Sequence, residues 1–184
     1  LVDSHSHIGG TAGGDASGPI HSEVRVFDSL NVRDSGIQRA QSGGITTANL
    51  MPGSGHLNSG QTLYAKLRDG NIIDDIFIYD ANGKIMGGMK FANGTNPIRP
   101  AGGNFPGTRA KSASLIREKL TAAQEYKAKI AKANGDATKM PQRDLAMEAF
   151  VEVLEGKRVV HFHTHRGDDI MTALRLQKEF GFRI

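Results

Sequence analysis

The chain has 184 residues, of which 38% are hydrophobic and 23% charged, with a formal charge of +4 and no cysteine. These proportions exclude disordered and fibrous classes and describe an ordinary α/β chain able to bury a core of its own. The lack of cysteine removes disulfide frameworks and thiolate ligands, and no apolar run approaches the roughly 20 residues that span a bilayer.

In chain order, Val2-Asp3-Ser4-His5-Ser6-His7 is a short β-type run that ends in His5-Ser6-His7. Residues 9–27 are rich in Gly and Ser and interrupted by Pro19, which predicts a long loop. Asn31 to Gln41 carries a helical pattern with Ile37 and Ala40 facing in, and Gly43-Gly44 stops it. Ile45 to Leu50 reads as a short buried strand broken by Pro52-Gly53. Residues 72–79 read as a further strand, followed by a hairpin-type turn at Asn82-Gly83. After a Gly/Pro-rich loop over 93–107, Thr108 or Ser112 opens a long helix to about Ala133 with Leu115, Leu120 and Ala123 on one stripe. A second helix is predicted from Asp144 to Glu155, with Leu145, Met147, Phe150, Val151 and Leu154 inward. Val159-Val160 then starts a strand that carries His161, His163 and His165. Asp168 is the expected cap of a helix over 169–180 that Gly181 ends. No internal repeat and no linker divides residues 1–184.

Five of the seven histidines therefore fall in two clusters, each after an apolar run. Side chains alternate along a strand, so His5 and His7 share a face, as do His161, His163 and His165 while the strand lasts. Two imidazoles on one face can chelate a divalent ion, and imidazole serves zinc, iron, nickel and copper alike. A single His-x-His pair arises easily by chance; a second one, in the same strand–ligand–loop–helix setting, argues for β/α units and a shared metal. The basic residues of 109–139 alternate with Glu and Ala, the pattern of a solvated helix face. With aromatics at only 6% and not interleaved with them, a nucleic-acid surface is disfavoured.

The segments Leu1-Val2-Asp3-Ser4-His5-Ser6-His7-Ile8-Gly9, Gly43-Gly44-Ile45-Thr46-Thr47-Ala48-Asn49 and Met51-Pro52-Gly53-Ser54 resemble the first strand, second strand and following loop of the metal-dependent amidohydrolase superfamily. Gly88-Met89-Lys90-Phe91-Ala92-Asn93-Gly94-Thr95-Asn96-Pro97 and His163-Thr164-His165-Arg166-Gly167-Asp168-Asp169-Ile170 are similar to segments of its imidazolonepropionase-like branch and peptidase-like relatives. The matches follow family order along nearly the whole chain. One departure is Thr95, which stands where the related segment has Glu.

The resemblance implies a partial (β/α)8 TIM barrel, running from the first strand to about the fifth strand and its helix. A closed barrel takes about 250 residues, so residues 1–184 are expected to form a single incomplete barrel domain of a larger polypeptide. By the same resemblance His5, His7 and His163 are metal ligands. Lys90 is a candidate bridging ligand after carboxylation, or else one half of an ion pair in the barrel mouth. His165 and Arg166 are candidate substrate-binding residues; for His165 a second metal or no role stays open, and His161 packs within the barrel. Asp169 is expected to cap a helix or support a neighbouring side chain. The implied cofactor is a divalent metal, zinc first, as one or two ions.

The implied activity is hydrolysis of a C–N bond in a small amide, cyclic amide or peptide-like substrate by metal-activated water. No residue of this chain is expected to be catalytic, since the family's general base belongs to the eighth strand. The remaining ligands and the missing half of the barrel would complete the site, with neither nucleic acid nor membrane as partner. Two alternatives stand beside this: an inactive truncated fragment, and a deaminase of the same superfamily. The compartment is left open.

Overall fold

The computed structural model describes residues 1–99 and 103–184. Among them are six short strands and four helices. β1 (Val2–Ser6) pairs in parallel with β2 (Thr47–Leu50), placing Val2 beside Thr47 and Ser6 beside Leu50. β3 (Asn58–Gln61) and β4 (Leu63–Lys66) are separated by Thr62 alone. β4 lies antiparallel to β2, whereas β3 lies antiparallel to β5 (Met89–Ala92). β6 (Val160–His163) pairs in parallel with β5, with Lys90 beside His161 and Ala92 beside His163. Two three-stranded sheets result, ordered β1-β2-β4 and β3-β5-β6, joined through Thr62.

Glycine makes that junction possible. Thr62 N donates to Gly88 O at 3.0 Å, and Gly88 N donates back to Thr62 Oγ1 at 2.8 Å. A Cβ on Gly87 would fall 1.8 Å from Thr62 O, and one on Gly88 would strike the His161 ring at 2.5 Å. The approach of the two backbones leaves space for hydrogen only.

The helices start where their capping side chains sit. Asp34 accepts from Gly36 N ahead of α1 (Ser35–Ser42), Thr108 from Lys111 N ahead of α2 (Arg109–Ala133), and Asp144 from Met147 N ahead of α3 (Leu145–Leu154). α4 (Gly167–Phe180) ends at Gly181, whose φ of 75° is the left-handed stop expected there. Asp168 does not cap it: Arg166 holds the cap position without a side-chain bond, and Asp168 instead pairs with the Arg166 guanidinium.

Residues 72–79 also depart from expectation. They hold a 3-10 turn, Ile73–Ile76, because Asp75 Oδ2 accepts from Asn71 N and Ile72 N and curls the chain before a strand can form. The turn at Asn82-Gly83 is present, with Gly83 at φ 74°. On α3, Leu145 is exposed rather than inward.

Two apolar clusters divide the interior. One joins Met89, Phe91 and Val160 of the second sheet to Ile116, Leu120, Phe150, Val153 and Leu176 of α2, α3 and α4. The other joins Leu50, Leu63 and Ala65 of the first sheet to Ile37 of α1 and to Ile76 and Phe77. Both sheets thus have helices behind them, and the strand ends that carry histidine face away from those helices' cores.

Candidate metal centre

His5 lies in β1 and His7 just past its end, so alternation brings the two rings to one side. Their Nε2 atoms are 3.2 Å apart, with the rings close to perpendicular. His7 Nδ1 stands 2.7 Å from Met51 O. A carbonyl can only accept, so Nδ1 carries the proton and Nε2 presents a lone pair. This hydrogen bond from the far nitrogen is the usual way a ligating imidazole is oriented.

Lys90, in the middle of β5, is fully buried. Its Nζ reaches His5 Nε2 at 3.2 Å and Met51 Sδ at 3.5 Å, and no carboxylate is among its hydrogen-bond partners. Burial lowers its pKa to about 8. The structure therefore gives no support to the ion-pair alternative for this lysine. His5 is lowered to about 4, first by burial and then by the charges of Lys90, His7, His163 and His161. A neutral imidazole with a free lone pair is the form a metal requires.

The second cluster gathers at the end of β6. The strand stops at His163, and the chain bends so that His165 Nε2 returns to within 2.8 Å of His163 Nε2. Asn96 Nδ2 approaches the same His163 nitrogen at 3.2 Å and donates as well to Ser54 Oγ at 2.8 Å. His163 is held below the usual imidazole range by burial, then by His165, Lys90 and His7. His161 packs inward as expected, with its Nε2 3.0 Å from Asn49 Nδ2 and 3.4 Å from the Tyr64 hydroxyl. Burial and then Lys90 push its pKa down. Arg166 forms a bidentate pair with Asp168 on the surface at the start of α4.

Asp169 is buried, with Oδ1 bonded to Arg109 Nε at 3.0 Å. Sequence reasoning gave no role to Met51, Asn96, Asn49 or Tyr64 as partners of the histidines. An acceptor carbonyl leaves no mark in sequence, and the other three are polar residues distant in the chain with no spacing signal. His21 and His56 also meet, with ring centroids 6.0 Å apart, away from the two clusters' hydrogen bonds.

The donor set can be tested for metal. Two imidazole nitrogens sharing a tetrahedral ion at 2.0–2.1 Å stand roughly 3.3–3.4 Å apart. The His5–His7 pair, at 3.2 Å, fits that chelate spacing. The His163–His165 pair, at 2.8 Å, has instead the length of a direct N–H···N bond. Among the described residues no group of three or more His, Asp or Glu side chains that could hold one ion is found. The chain thus offers a two-imidazole chelate with a buried amine beside it.

A solved structure described as an amidohydrolase from Thermotoga maritima MSB8 is similar to this chain, at 34% sequence identity and a TM-score of 0.89. The similarity covers 100% of this chain and 49% of that one. The fold is amidohydrolase-like. No family model matches the chain, and no curated protein matches it. The chain spans about half the length of the amidohydrolase it resembles. His5, Lys90, His161 and His163 lie on β1, β5 and β6 of the two joined sheets, and His7 and His165 lie just past the ends of β1 and β6.

Proposed function

We propose that this chain is the first part of a (β/α)8 barrel, a single incomplete domain over residues 1–184, from a metal-dependent hydrolase that cleaves a C–N bond in an amide, cyclic amide or peptide-like substrate. The observation that carries the reading is the His5–His7 pair, whose nitrogens have chelate spacing and whose His7 tautomer is set by Met51 O. The likeness to an amidohydrolase at 34% identity supports the hydrolase class. In this reading His5 and His7 hold a divalent ion, zinc first, and His163 and Lys90 are the further ligands available from this chain.

The ion, when bound, lowers the pKa of a water to near 7 and polarises a carbonyl oxygen. The chain's own residues do the holding. Met51 O fixes the His7 ring through its far nitrogen, whereas Asn96 Nδ2 meets His163 at Nε2 itself and would have to yield that nitrogen to an ion. Lys90 is buried with no anionic partner among the described residues, and burial brings its pKa down to about 8, so its neutral amine is more accessible than that of an exposed lysine. A neutral amine can bond the carbon of carbon dioxide and release one proton to solvent; the resulting carbamate would place an anion among these imidazoles. His165 and Arg166 are assigned to substrate, with Arg166 leaving Asp168 to reach an anionic group. No general base is assigned within the chain.

The test is metal content by elemental analysis of the longest native polypeptide that carries this sequence, beside hydrolysis of an amide and dipeptide panel. One or two equivalents of metal, lost with activity on chelation and restored by zinc, support the proposal. A metal-free protein with undiminished amide hydrolysis would refute it.

A further inference from the structure

Behind the histidine clusters, where α2, α4 and the end of β5 meet, two buried acceptor oxygens have no donor among the described residues: Asn93 Oδ1 and Asp169 Oδ2. Both side chains are at least nine-tenths buried, at 5% and 3% exposure. Their other polar atoms are committed. Asn93 Nδ2 donates to Asp169 O at 2.8 Å, which fixes the amide so that Oδ1 cannot exchange places with nitrogen. Asp169 Oδ1 accepts from Arg109 Nε at 3.0 Å. A cavity with about 10 Å³ of room for a water centre is lined by Asn93, Asp169, Arg109 and Thr172, with Ile116 and Leu176 closing its apolar side. A Cβ on Gly94 would come within 3.0 Å of Asp169 Oδ2, so the glycine keeps that oxygen clear.

We infer that this cavity is a binding site for one internal water molecule. The chemistry selects the ligand. Two acceptors need two donors, and a water supplies two O–H groups from one centre. A buried acceptor left without a donor carries its full desolvation penalty, and a site of this size with polar partners meets the requirement for a single water. A cation would also satisfy two oxygens, but the Arg109 guanidinium already neutralises Asp169 at 3.0 Å, so a second positive charge would meet repulsion.

The water has a structural consequence. Asn93 N donates to His163 O at 3.1 Å, and Asp169 belongs to the first turn of the helix that follows His165. Bridging Asn93 to Asp169 ties the loop after β5 to the start of α4, on either side of the His163–His165 bend. This role does not depend on whether any metal binds.

A crystal structure near 1.5 Å resolution tests the site. The expected result is a water 2.6–3.2 Å from both Asn93 Oδ1 and Asp169 Oδ2. A dry cavity overturns the inference, as does direct Oδ–Oδ contact or a density peak with cation distances of about 2.3–2.6 Å. Oxygen-17 relaxation dispersion gives a second readout in solution. Asn93→Ala, folded by circular dichroism, is expected to lose one long-lived water relative to the unaltered chain; an unchanged dispersion overturns it.

Discussion

The carbonyl oxygen of Met51, at the end of one strand, accepts a hydrogen bond from Nδ1 of His7, just past the end of the neighbouring strand, at 2.7 Å. The bond settles a chemical choice that the His-x-His motif leaves open, because it commits the proton to one nitrogen and the lone pair to the other. The same lone pair faces His5 Nε2 at 3.2 Å. A backbone acceptor, which side-chain mutation leaves in place, thereby sets the His7 tautomer.

His7→Ala is expected to weaken zinc binding by at least about 100-fold, since it removes one arm of the chelate, while the fold survives because the His7 side chain is exposed. Isothermal titration with zinc, beside a thermal melt of the same variant, separates the two effects. Equal zinc affinity in variant and parent would remove His7 from the ligand set.

Lys90→Met addresses a buried amine with no anionic partner. Burial depresses its pKa from 10.5 to about 8, so the charged form destabilises the folded state. The unfolded chain binds the proton more tightly between those two values, and stability therefore rises as pH climbs from about 8 to 10.5. Below pH 8 the full penalty applies, on the order of 3 kcal/mol from the size of the shift. Metal-free Lys90→Met is expected to be about 1–3 kcal/mol more stable than the parent at pH 7 by urea unfolding, with the gap closing toward pH 10. The same variant should lose metal if Lys90 is a ligand. A variant less stable than the parent at pH 7 would mean that the amine has a favourable partner.

Much of this arrangement can be read from sequence, and the reason is geometric. His5, His7 and His163 sit where two-residue alternation puts them, and Gly181 ends α4 as its left-handed conformation requires. Helix starts at Thr108 and Asp144 follow from their short acceptor side chains, whereas the first helix starts after Asp34 and not at Asn31. What sequence does not disclose is competition between local and distant bonds. Ile72 to Tyr79 is apolar enough for a strand, yet Asp75 captures two backbone N–H groups and makes a turn. His165 lies beyond the last residue of its strand, so its proximity to His163 comes from a bend and not from alternation. Tyr64, Asn49 and Asn96 reach the histidines only because β4, β2 and the loop after β5 converge. The resemblance to amidohydrolases supplied the function class, whereas Met51 O and the absence of a carboxylate beside Lys90 are visible only in three dimensions.

Gly87→Ala tests the junction of the two sheets. The added carbon would stand 1.8 Å from Thr62 O, a backbone atom that no side-chain rotation can clear. Relief requires β4 or β5 to move, and overpacking of that kind costs typically 1–3 kcal/mol and sometimes more. A loss of at least 3 kcal/mol, or failure to fold, is expected by urea titration. Gly88→Ala would bring its carbon to 2.5 Å from both Val159 O and the His161 ring, so it should also cost stability and in addition displace the ring, which nuclear magnetic resonance of the imidazole would register. A Gly87→Ala variant with unchanged stability would show that the strands pack less tightly than described.

Glu152 gives a pH-dependent test far from the histidines. It sits in α3 between Lys84 and Arg158, with Arg158 Nε at 2.5 Å and both the Arg158 and Glu152 side chains largely buried. Burial by itself would raise the carboxyl pKa; the hydrogen bond from Lys84 and the charge of Arg158 outweigh it, and the net value lies below 4.5. A folded pKa beneath the unfolded one means that the stabilisation is complete above about pH 4.5 and fades as pH falls through the folded value. Glu152→Gln keeps the shape and removes the charge, leaving Arg158 buried without an anion. At pH 7 the variant is expected to be about 2–4 kcal/mol less stable than the parent. The difference should shrink below pH 4, because the parent's own carboxyl is then protonated and resembles the amide. Paired urea titrations at pH 7 and pH 3 measure this, and a gap of equal size at both values would show that Glu152 acts through packing and not through charge.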